Sequence, residues 1–138
     1  MAYILFGASF MGSGAAVITG DKMLTGIAEI TFGTAWVTFG ATDLTAHEVV
    51  IGAVNIAFGA AFIALGAAII AGRKALIQEA TITAGVAFIA IGTVDIAAHG
   101  VLDGATCIAC GAAWIAIGAE IIDMRVIRRW IKWAIEAP

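Results

Sequence analysis

Glycine recurs in this chain with a fixed step of 26 residues. Gly7, Gly33, Gly59, Gly85 and Gly111 form one column, and Gly14, Gly40, Gly66, Gly92 and Gly118 form a second. Three further columns keep the same step. Ile4, Ile30, Ile56, Ile82 and Ile108 make the first, the aromatics Phe10, Trp36, Phe62, Phe88 and Trp114 the second, and Ile18, Leu44, Ile70, Ile96 and Ile122 the third. Five copies without an insertion cover residues 1–130. A chain built this way must make its fold from one unit used repeatedly.

Each unit holds one apolar stretch and one short polar connection. The stretches run to about 20 residues, the length at which a helix crosses the hydrocarbon of a bilayer. Of the 138 residues, 62% are hydrophobic and 12% charged, whereas a soluble domain is roughly 25% charged. With a mean hydropathy of +1.06, so short a chain cannot hide its apolar surface in a single core. The expected fold is all-α: a polytopic membrane protein of five transmembrane helices from a 26-residue glycine-rich repeat, with spans near 2–20, 24–43, 49–72, 75–97 and 104–122. A basic tail, 123–138, carries Trp130 and Trp133 and is expected to lie as a helix along the cytoplasmic interface. The opening MAYILFGASF has no basic region before its apolar run, so it reads as a span rather than a cleavable leader.

At 100° per residue, the glycines, the aromatic and the isoleucines of each unit fall within one arc of roughly 140°. The ten column glycines are therefore the expected helix-packing residues. In lipid, close packing rather than apolar burial drives helices together, and glycine lets backbones approach. The aromatic beside each pair is expected to fill the space over a neighbour's glycine. Lys22, Arg73, Lys74 and the tail bases follow odd-numbered spans, while Asp43, Glu48, Asp95 and Asp103 follow even-numbered ones. Basic loops stay inside, so the N-terminus is expected outside an inner or plasma membrane and the C-terminus in the cytoplasm. A net charge of −3 gives no reason to expect nucleic acid as a partner.

Chemistry-bearing residues gather at the outer ends of the spans. Asp43–His47 and Asp95–His99 are both Asp-x-x-x-His pairs, 52 residues apart, and residues at i and i+4 share a helix face. Cys107 and Cys110 form a C-x-x-C at a similar depth. Imidazole, thiolate and carboxylate together suit zinc or copper, so His47, His99, Asp43, Asp95, Cys107 and Cys110 are the candidate metal residues. The alternative is a set of ordinary polar helix ends satisfying one another. The two cysteines also allow a redox pair, although the βαβ setting that makes such a motif persuasive is missing. Glu29, Glu79 and Glu120 fall within or at the edge of spans, and Glu29 is the deepest. A carboxyl in a span points by default to an ion or proton path. The other explanation is a carboxyl that fixes packing.

The pattern Gly52-AVNIAF-Gly59-AAFIAL-Gly66 resembles the HdeD-like short-repeat small membrane proteins. The likeness lies in glycine spacing and repeated spans over most of the chain. That family has six spans and more proline in its turns, whereas this chain has one proline, Pro138. The resemblance implies a bacterial or archaeal inner-membrane role and brings no catalytic residues with it.

With so little chain outside the spans and no catalytic set, the leading expectation is a structural or accessory subunit of a membrane assembly. Its partners would be the bilayer and either further copies of itself or other membrane subunits. A small oligomeric channel or transporter using Glu29 and the outer acids is the alternative. A metal-binding or redox subunit carrying zinc or copper at the outer rim is a third. Bound lipid is a further expected occupant.

Overall fold

The computed structural model describes residues 11–12, 15, 19–46, 48–98, 100–119 and 129. Over these residues the chain forms four helices: α1 (Lys22–Thr45), α2 (Val49–Ile70), α3 (Lys74–Ala98) and α4 (Val101–Gly118). α1 packs on α2, α3 on α4, and α2 on α3. Two antiparallel hairpins thus stand side by side.

Local chemistry sets the helix ends. Asp21 caps α1, its Oδ1 accepting from the backbone N–H of Met23 at 2.8 Å and of Leu24 at 3.3 Å. α2 ends where Gly72 takes a φ of 66°. That left-handed turn lets the N–H groups of Gly72 and Arg73 reach back to the carbonyls of Ile69 and Ala68.

Three of the four helices, α2, α3 and α4, are long and apolar enough to cross a membrane by length and composition. The chain is a membrane protein. The expectation of five transmembrane helices is corrected on this point. The stretch expected as a span at 24–43 is indeed helical, but it carries Lys22, Glu29, Asp43 and the threonines 25, 31, 34, 38, 42 and 45. These groups lower its apolarity below that of its neighbours. Most of the expected span at 2–20, and the interfacial tail at 123–138 apart from Arg129, lie outside the described residues.

The hairpins are held by glycine opposite glycine. In the first, Gly26 faces Gly66, Gly33 faces Gly59 and Gly40 faces Gly52. In the second, Gly85 faces Gly111 and Gly92 faces Gly104. A methyl built on Gly40 would lie 2.5 Å from the carbonyl oxygen of Gly52, and one on Gly85 2.6 Å from that of Gly111. Backbone therefore rests directly on backbone. The space over each glycine is filled by the side chain four residues beyond its partner: Ile30 over Gly66, Val37 over Gly59, Leu44 over Gly52, Ile56 over Gly40, Ile108 over Gly92 and Ile115 over Gly85.

The aromatics do something different from filling those spaces. Trp36, Phe62, Phe88 and Trp114 gather with Phe32 and Phe58 where the two hairpins meet. Phe58 stacks on Phe88 with ring centres 4.9 Å apart, Trp36 meets Phe58 edge-on at 5.0 Å, and Phe62 meets Trp114 at 5.2 Å. Phe58, Phe62, Leu65, Ala84 and Ile91 are buried in this core.

Gly33→Ala and Gly85→Ala each push a methyl into an opposing carbonyl, and overpacking of this kind costs about 1–3 kcal/mol. Ala60→Val, on the exposed side of α2, should stay within about 0.5 kcal/mol of the parent. Denaturant unfolding in detergent micelles, followed by tryptophan fluorescence, measures all three. Equal losses across the set would mean that the glycine contacts do not hold the hairpins.

Candidate functional site

The buried polar side chains of the described core are Asn55 and Thr81. Together with Glu29 and Cys107 they occupy one position of the 26-residue step: 29, 55, 81 and 107. Sequence reasoning placed Glu29 and Cys107 in separate hypotheses and passed over Asn55 and Thr81. The shared spacing was the signal that could have joined them. The same step also carries Gly26, Gly52 and Gly104, a third row of contact glycines that the two glycine columns left out, with Gln78 in the remaining place.

At the acidic end, each hairpin has a polar link at the same level. Asn55 Nδ2 donates to Asp43 Oδ2 at 2.8 Å. In the second hairpin, 52 residues further on, the Cys107 thiol donates to Asp95 Oδ2 at 3.7 Å. Both links join the two helices of one hairpin. Asn55 is 6% exposed, and its Oδ1 is buried without a hydrogen-bond partner. A thiol is a weaker donor than an amide, so the second link is the looser of the two. Thr81 meets its own need locally by donating to the Ile77 carbonyl at 2.6 Å.

His47 and His99 lie outside the described residues, so the expected Asp–His pairs cannot be placed. The described bonds of Asp43 and Asp95 run across the hairpins. Cys107 is half-buried and Cys110 exposed, both as free thiols. Among the described residues, no three His, Cys, Asp or Glu side chains come together in a way that could hold a metal ion.

Glu29 is half-buried. At 100° per residue it falls between Trp36 and Gly33 on the helix surface, on the side of α1 that faces the rest of the protein. Glu79 is exposed in the second turn of α3. Of the expected packing glycines, Gly7 and Gly14 lie outside the described residues, as does Glu120. Gly118, the last column glycine, faces Ile82, with the Gln78 carbonyl 3.0 Å from where its methyl would be.

No protein-family model, curated protein or solved structure matches the chain.

Replacing Asn55 by Leu strands the Asp43 carboxylate without its amide donor. Loss of a buried partner of this kind costs about 1–3 kcal/mol. Cys107→Ala removes a longer bond from a weaker donor at a half-buried position, and its cost should be the smaller. Unfolding midpoints of the two variants in the same detergent give the comparison. The reverse order would mean that the amide link contributes little.

Proposed function

We propose that this chain is a structural or accessory subunit of a membrane assembly, acting through its helix faces. The observation that carries the reading is α4. It is long and apolar enough to span, yet only 17% of its apolar stretch is buried, against 44% for α2 and 39% for α3. Small residues make up much of what it leaves open: Ala105, Ala109, Cys110, Ala112 and Ala113 are exposed. Such a face suits a second helix at close range, since side chains that are short let backbones meet.

The connections support the same reading. Only residues 46–48, 71–73 and 99–100 separate one helix from the next, so these turns offer little surface for a soluble partner or substrate. Among the described residues, what is presented to other molecules is chiefly helix surface. In this proposal the end bearing Asp43, Glu48, Asp95 and Asp103 faces outward, and the end bearing Lys22, Arg73 and Lys74 faces the cytoplasm.

Native mass spectrometry of protein extracted gently from its own membrane, without chelator, tests the assembly. The expected result is either a homo-oligomer or comigration with other subunits. A monodisperse monomer would remove the main support. Added mass matching zinc or copper would instead favour the outer-rim metal reading.

A further inference from the structure

The outward side of α1 is polar, whereas that of the apolar helix it packs against, α2, is not. Gly26 is level with Gly66, and Gly40 is level with Gly52, so α1 lies along nearly all of α2. Opposite those glycines, Thr31, Thr34, Thr38, Thr42 and Thr45 follow one another at steps of three and four residues, which keeps them on a single helix face. Thr34, Thr38, Thr42 and Thr45 are exposed and Thr31 is half-buried. The glycine pairing puts Thr34 level with Phe58 and Thr38 level with Val54, well inside the apolar length of α2.

The neighbouring helix shows the contrast. Exposed positions of α2 at this depth are Ala53, Ala57, Ala60, Ala64 and Ala67. Hydrocarbon offers a hydroxyl nothing to bond with. Each threonine donates its own proton to a carbonyl one turn back, as Thr34 does to Ile30 at 2.8 Å and Thr38 to Thr34 at 2.9 Å. That leaves the oxygen lone pairs pointing outward as acceptors. A row of oxygens without free donors suits water and hard cations, whose hydration shells such oxygens can replace in part.

We propose that the threonine face of α1 is one wall of a water-filled path for small cations, completed by the same face of further copies of this chain. The proposal rests on the assembly reading above, because one α1 cannot enclose a path. Asp43 and Glu48 at the acidic end raise the local cation concentration at its mouth. Ile27, 50% exposed on the same face one turn beyond Thr31, ends the hydroxyl row with an apolar side chain and narrows the path. Glu29 stands on the other side of α1 and takes no part.

Cysteine accessibility in liposomes containing the full chain tests this. The background is Cys107→Asn with Cys110→Ala, the asparagine keeping a donor for Asp95 as Asn55 does for Asp43. Thr34→Cys, Thr38→Cys and Thr42→Cys are compared with Ala60→Cys, using a membrane-impermeant cationic methanethiosulfonate. Thiolate forms where water reaches, so the threonine positions should react about tenfold or more faster than Ala60→Cys. Modification at Thr38→Cys should also block potassium efflux from the same vesicles. Rates equal to that of Ala60→Cys overturn the proposal. Slow labelling of an oligomer, sized by native mass spectrometry, sinks the path and leaves the assembly standing; slow labelling of a monomer sinks both. Fast labelling of a monomer also overturns the shared path. Thr38→Val, nearly the same shape without the hydroxyl, provides the second variant. It should cut potassium flux severalfold, and unchanged flux would count equally against the proposal.

Discussion

Direct contact between backbones is the constraint on which this fold depends. In lipid, a leucine gains little by leaving the hydrocarbon for another helix, so attraction has to come from many close contacts. Removing the side chain at every seventh position of two facing helices lets peptide groups touch. A branched side chain four residues further on then covers the opening on the partner. Gly33 with Val37 on one helix and Gly59 with Ile63 on the other show the arrangement in reciprocal form. Glycine weakens a helix by about 1 kcal/mol relative to alanine, and the packing across the pair has to offset that at each site. Strict seven-residue spacing keeps the contact line straight only if the helices wind around each other in a left-handed sense.

Much of the helical plan could be read from residue spacing. The stretches expected at 24–43, 49–72, 75–97 and 104–122 overlap the four described helices, and glycines such as Gly33, Gly59, Gly85 and Gly111 stand where backbones meet. The choice of partner was not legible in the same way. Every unit carries a similar glycine face, so periodicity alone does not say which two faces meet. The aromatics illustrate this: lying on the same arc as the glycines, they read as contact fillers. Yet Trp36, Phe58, Phe62, Phe88 and Trp114 sit at the junction between hairpins, a surface that exists only once the pairs have formed.

The polar positions were harder still. Asp43 and Asp95 each lie four residues before a histidine, a local pattern that draws attention along the helix. Their described bonds run across to Asn55 and Cys107, twelve residues away in sequence and adjacent only through the turn. Glycine spacing also does not separate α1 from the three more apolar helices; composition does. α1 shares its glycine spacing with α2, but its threonines and Glu29 set it apart in character.

A periodic contact can also close in more than one setting. Sliding α1 along α2 by seven residues, about 10 Å, would bring Gly33 opposite Gly52 and Gly26 opposite Gly59, again glycine on glycine. The packing surface by itself therefore defines a ladder of nearly equivalent rungs. What singles out one rung is the end of the hairpin, where residues 46–48 leave no slack and the Asn55 amide meets Asp43. A slide in either direction would break that bond and drag the chain reversal into the body of a helix. The short turn and its one polar bond thus act as the pawl of a ratchet, deciding register for a surface that cannot decide it alone.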